Sequence, residues 1–97
     1  MFKKARDRRR RTRELEKRQA LAASQQDGPN LYDPIEDDPE FVQIIAEADR
    51  LTDLKLHGAN HFGSCHEFWE TKQAILKERF GIEWFSPNDM NPLTLFD

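Results

Sequence analysis

The first eighteen residues hold ten cationic side chains: Lys3, Lys4, Arg6, Arg8, Arg9, Arg10, Arg11, Arg13, Lys17 and Arg18. A guanidinium fork matches phosphate oxygens two at a time. Neutralising a phosphate backbone also releases its condensed counterions, so a segment of this kind suits RNA or DNA. On a helix, consecutive Arg8 to Arg11 point in nearly all directions and form a sleeve of charge. No aromatic residue interleaves the run, so it offers no platform on which bases stack. The same charges also suit an acidic protein surface.

A second group is His57, His61, Cys65 and His66, spaced H-x3-H-x3-C-H. These are zinc-type ligands, and Gly58 and Gly63 would let the segment wrap a metal. The spacing matches no common closed zinc motif, and adjacent Cys65 and His66 diverge on a helix. The expectation is therefore no metal and no cofactor. Cys65 following Ser64 at a helix start would have a dipole-activated thiol, with His66 or His61 as base. No oxyanion site or pocket signature accompanies it, and the expectation is a protein that is not an enzyme.

A third feature is the aromatic pair Trp84–Phe85, close in sequence to Trp69. A thin module cannot easily bury both faces of a short extended piece. Either one of the pair is an exposed anchor for a protein partner, which makes Trp84 and Phe85 the candidate partner-binding residues, or both cap the small core. The acidic group Asp33, Glu36, Asp37, Asp38 and Glu40 is read as a solvated linker with helix-start charges, or as a segment folding back on the basic arm.

The elements that position these groups follow from composition and periodicity. The chain has 97 residues, 37% hydrophobic and 34% charged, with a net charge of −3. That total hides an asymmetry: residues 1–18 carry +7 and the remainder −10. Residues 2–24 lack Gly and Pro, consist largely of helix formers, and contain the favourable i,i+4 pair Glu14–Arg18. Apolar positions there are few, so a solvated basic helix or arm over 1–24 is expected. Gly28, Pro29 and Pro34 mark 25–37 as an acidic linker.

From Asp38 onward a compact module is expected through residue 97. Asp38 reads as an N-cap before Pro39, and Phe41, Ile44, Ile45, Ala48 and Leu51 recur at helical spacing, predicting a helix over 39–54. Ser64 and Glu67 fit a capping box ahead of Phe68, Trp69, Ile75, Leu76 and Phe80, with Gly81 at the C′ position. Ile45 and Ile75 are the expected facing core residues. Ile82 to Phe85 read as extended, and Ser86, Pro87 and Asp89 start a helix that Pro92 stops within about one turn. The fold class is mainly α: a small helical module of two main helices with a short C-terminal turn or extended segment, preceded by the basic helix.

A module of this size buries only about 60% of its unfolded surface, which leaves no room for a large interior catalytic cavity. The single cysteine excludes an internal disulfide, and no apolar run approaches the ~18 residues that span a membrane. A cytoplasmic protein is expected, without membrane contact. The functional expectation is a small accessory protein that binds nucleic acid or a ribonucleoprotein through its basic arm. The alternative is a protein-binding adaptor or inhibitor that uses the acidic C-terminal module.

Overall fold

The structure is a computed structural model and describes residues 2–57 and 65–96, with side chains over 7–56 and 65–96. Four α-helices follow in order: α1 (Phe2–Gln25), α2 (Val42–His57), α3 (Cys65–Phe80) and α4 (Pro87–Met90). A 3-10 turn, Pro34–Asp37, precedes α2, and the described residues contain no strand. The mainly helical class matches the sequence reading.

Local chemistry explains most boundaries. Asp38 caps the entry to α2: its Oδ1 accepts from the Glu40 N–H at 3.0 Å, and its carbonyl accepts from the Phe41 and Val42 N–H groups at 2.9 and 3.1 Å. Pro39 and Glu40 form a turn, so regular helix begins at Val42, later than the predicted 39, and runs to His57 instead of 54. Gly81 ends α3 with φ 65°, a left-handed conformation costly for a side-chain-bearing residue, and its N–H bonds the Lys77 carbonyl at 3.1 Å. Ser86 and Asp89 close a reciprocal capping box on α4, with Pro87 in the first turn. Ser64, expected to cap α3, lies outside the described residues.

Packing forms two apolar clusters. Ile45, Ala48, Leu76 and Trp84 make the first, between α2 and α3. Ile45 is core as expected, whereas Ile75 is only partly buried, and Leu76 is the α3 residue that is fully enclosed. Buried Lys72 crosses this layer. Its Nζ lies 2.8 Å from Asp49 Oδ1, 3.2 Å from Glu36 Oε1 and 4.5 Å over the Trp84 ring, joining the 3-10 turn and α2 to α3.

The second cluster is Ala22, Phe85 and Met90, with Leu15 and Leu31 packed against it. It shows that α1 does not stand apart from the module as a solvated arm. Its C-terminal half covers the segment between α3 and α4. That segment, residues 81–86, presents Trp84 to one cluster and the next side chain, Phe85, to the other. Both are interior, 2% and 0% exposed. The alternative in which both cap the core is the one observed, and the assignment of Trp84 or Phe85 as an exposed partner anchor is corrected accordingly. The second face of the segment is buried because α1 covers it.

The 25–37 stretch is likewise built into the fold. Asp33, fully buried, caps the 3-10 turn through its Oδ1 and the Ile35 N–H at 3.1 Å. Asn91 exchanges hydrogen bonds with the backbone of Leu31 at 2.8 and 2.7 Å, closing the chain onto α4. The radius of gyration, 14.1 Å, exceeds the roughly 12.5 Å of an equally long compact domain. The N-terminal turns of α1, exposed at Asp7 through Arg10, extend past the module.

Candidate nucleic-acid interface

The basic residues of α1 fall into two groups with opposite roles. Taking Arg11 as zero and about 100° per residue, Leu15, Arg18 and Ala22 lie within about 40° of it, along one face. That face is the docking side. Arg18 projects from it into the module, where its Nη1 donates to Asp33 Oδ2 at 2.7 Å and to the Glu83 carbonyl at 2.6 Å. Its Nε also pairs with Glu14 Oε1 at 3.2 Å. Arg11 Nη2 reaches Asp89 Oδ2 at 3.4 Å. The guanidinium carbons of Arg11 and Arg18 each sit 4.9 Å from the centroid of the Phe85 ring, so one aromatic ring serves two cations. Gln19 adds weak bonds to the carbonyls of Asp89 and Met90, at 3.4 and 3.3 Å.

Asp33 anchors this dock. Besides Arg18, its Oδ2 accepts from the Phe85 N–H at 2.9 Å, so one buried carboxylate ties together α1, the 3-10 turn and the 81–86 segment. Arg18, taken from the sequence as a phosphate contact, is instead a structural residue whose side chain is only 16% exposed. Arg11 is shared: it contacts Asp89 and Phe85 and keeps 40% of its side chain exposed.

The second group points outward. Arg9, Arg13, Lys17 and Arg10 lie about 160°, −160°, −120° and −100° from Arg11, opposite the module, and all are exposed. Arg8, at about 60°, is also exposed. Their internal partners are few. Arg10 comes within 3.9 Å of Asp7, and Arg13 Nε makes a long 3.4 Å contact to the Arg9 carbonyl. A hollow of about 470 Å³ is lined by Arg8, Arg9, Thr12 and Arg13. Another of about 390 Å³ is lined by Asp7, Arg9, Arg10 and Arg13, so Arg9 and Arg13 form a ridge between the two. The sleeve expected from sequence is thus a one-sided basic surface. The side chains of Lys3, Lys4 and Arg6 lie outside those described.

Of the histidine–cysteine group, the side chains of Cys65 and His66 are described. His66 Nε2 is 2.7 Å from the Phe96 carbonyl oxygen, and its ring meets Trp69 edge to face at 5.5 Å. Cys65 is half-buried at the start of α3. Among the described residues, no three His, Cys, Asp or Glu side chains are grouped to hold a metal ion. His61 and the His57 side chain lie outside that set. No described helix is long and apolar enough to cross a membrane.

Two features of the interface escaped the sequence reading. The docking stripe has the spacing of a core-facing helix, i, i+4, i+7, i+11, but two of its four members are arginines, so an apolar periodicity does not register it. Its counterpart, Asp33, sits in an acidic run with no local mark distinguishing it except the following Pro34. No protein-family model matches the chain, and neither a curated protein nor a solved structure does.

Proposed function

We propose that this chain is a small, non-enzymatic accessory protein of the cytoplasm that holds nucleic acid, free or within a ribonucleoprotein, by phosphate contacts from the outward side of α1. The supporting observation is the sorting of arginines on one helix. Those facing the module are matched to Asp33, Asp89, the Glu83 carbonyl and the Phe85 ring, while Arg8, Arg9, Arg10, Arg13 and Lys17 remain exposed. Exposed arginines at such density repel one another and gain most from a polyanion. No aromatic residue interleaves the described run from Arg8 to Arg18, which favours backbone contact over base stacking.

The test is titration of the full chain with labelled RNA and DNA over a range of salt. Four to six phosphate contacts give a log–log slope of about −3 to −5. Replacing Arg9, Arg10, Arg13 and Lys17 by Gln is expected to flatten the slope and weaken binding alike across sequences. Substitution is the right perturbation, because deleting residues 1–18 would also remove Leu15 and Arg18 from the dock. Absence of binding to any nucleic acid at low salt overturns the proposal in favour of the adaptor reading. That alternative draws on Leu93 and Leu95, which are 100% and 98% exposed beside an otherwise acidic module.

A further inference from the structure

We infer that the turn after α4 is a built docking knob, and that its Leu93 and Leu95 seat in a groove between α2 and α3 of a second copy of this chain. The knob is clamped at both ends. Asn91 exchanges hydrogen bonds with the Leu31 backbone at 2.8 and 2.7 Å, and its carbonyl accepts from the Thr94 N–H at 3.0 Å. The bond to Thr94 closes a turn with Pro92 in the position proline favours. Phe96 packs edge to face on Trp69 at 5.2 Å, and its carbonyl accepts from His66 Nε2 at 2.7 Å. Between the clamps, Leu93 and Leu95 stand 100% and 98% exposed. A loose segment would lose its conformational entropy on binding. This one has lost most of it on folding, so two leucines on a fixed turn are presented at small further cost.

The same chain carries a matching recess. Leu51, Leu54 and Ile75, together with exposed Lys55, Glu78 and Arg79, line a groove of about 400 Å³, room for two leucine side chains. Leu54 itself is 61% exposed, an apolar side chain left in water at the groove. Charge complements the fit. Two cations against one carboxylate stand at the groove, whereas the knob has acidic neighbours: Glu70 is exposed beside the His66–Trp69 clamp, and Asp97 follows Phe96 in sequence. Unlike charges around an apolar contact orient the partner and disfavour other seats.

The two surfaces lie on opposite sides of α3. Taking His66 as zero and about 100° per residue, Trp69 lies at about −60°, while Glu78, Ile75 and Arg79 lie at about 120°, 180° and −140°. A knob clamped to the first side does not reach a groove on the second within one chain, so the match is made between copies. The contact is heterologous: each copy offers its knob to one neighbour and its groove to another, which builds rings or rows instead of stopping at pairs. Two leucines in one groove bury well short of the about 1,200 Å² of total surface that marks a stable complex. The contact is therefore weak, and the dilute chain is monomeric.

Sedimentation equilibrium of the full chain from about 10 μM to about 1 mM covers the range of such a contact. The weight-average mass is expected at least to double, roughly, across that range, as a Kd at or below about 1 mM requires. Two variants change only exposed positions, and thermal melts check that both fold as the parent does. Leu93→Ser/Leu95→Ser removes the knob, and Leu54→Glu blocks the groove. Each alone is expected to stay monomeric throughout. Mixed one to one, they recover one knob and one groove between them, so the mass is expected to rise toward the dimer and no further. A parent that is monomeric at every concentration overturns the inference and leaves the leucines to a different protein. Association of either variant alone also overturns it, since two knobs meeting each other would leave the Leu54→Glu chain associating. So does a mixture that stays monomeric. No nucleic acid enters these measurements, so their outcome is separate from that of the salt titration.

Discussion

Replacing Arg18 by Met is the sharpest test of the docked α1. Methionine preserves much of the side chain's length and can still pack on the Phe85 ring, so the change removes charge and donors while keeping bulk. What remains is Asp33, wholly buried, with only the N–H groups of Ile35 and Phe85 to face its carboxylate. Breaking one side of a buried ion pair costs about 3–5 kcal/mol, because the surviving charge is neither solvated nor paired. The lost bond to the Glu83 carbonyl and the lost cation–π contact argue against a value below that range. A chain of this length has roughly 5–15 kcal/mol of total stability, so about a fifth or more of it is at stake. At about 4–8 °C per kcal/mol, the melting temperature falls by roughly 12 °C or more. Far-UV circular dichroism during thermal and urea unfolding measures this directly. The double variant Arg18→Met/Asp33→Asn removes both charges, and it is expected to cost about 0.5–3 kcal/mol less than the sum of the single changes. If Arg18→Met unfolds within about 0.5 kcal/mol of the parent, as a surface substitution would, Arg18 does not bridge to Asp33 and the dock is wrong.

Three further outcomes follow from the same packing. Lys72→Met is expected to cost less than Arg18→Met, about 1–3 kcal/mol, since Glu36 and Asp49 keep 27% and 42% of their side chains exposed and rehydrate once unpaired; urea unfolding ranks the two. Ile45→Ala is expected to cost about 2–5 kcal/mol and Ile75→Ala distinctly less, reversing no sign but separating the enclosed position from the partly exposed one in a thermal melt. Tyr32, the single tyrosine, donates its phenol to Asp37 Oδ2 at 2.6 Å, and this bond first, then burial and the nearby carboxylates, raises its pKa above the ordinary value. Ultraviolet titration is expected to place its midpoint above about 10 and to bring it back down in Asp37→Asn. By linkage, the bond's contribution to stability is complete below the unfolded-state pKa and is lost as pH rises through the higher folded-state value.

The helices were legible where one residue type did one job. Gly81 ends α3 because only a residue without Cβ sits comfortably at φ 65°. Phe41, Ile44, Ile45 and Ala48 give α2 its inner face because the stripe is purely apolar. Legibility failed where a core position is filled by a long cation. Arg18 and Lys72 reach the interior through their aliphatic stems and place their charge on Asp33, or on Asp49 and Glu36, a match made across 15 to 36 residues of chain that no local pattern encodes. The misreading of Trp84 and Phe85 shares this origin. Once α1 is taken as solvated, the second face of the 81–86 segment has no cover, which is why an exposed aromatic entered as a candidate. Among the proposed interface residues, the sequence placed all on one helix but could not divide Arg11 and Arg18 from Arg9, Arg10 and Arg13. That division depends on where Phe85 stands.

The same dock resolves an electrostatic difficulty in the proposed function. A module bearing −10 beyond residue 18 should repel a polyanion that its own helix attracts. The repulsion acts from the inward side of α1, while the basic ridge faces outward, and the helix between them is about 10–12 Å thick. The screening length at physiological salt is about 8 Å, so phosphates on the ridge feel the adjacent arginines far more than carboxylates across the helix. Docking also shifts the cost of order. An isolated helix must form its first turn at a loss, but the turns anchored by Leu15, Arg18 and Ala22 are already in place, and residues 2–10 only propagate from them. The entropy of ordering the basic segment is thereby met mostly during folding, leaving less to be lost when a phosphate backbone binds. The inward contacts of Arg11 and Arg18 thus support the outward arginines of the proposed interface, by fixing the helix on which both are arranged.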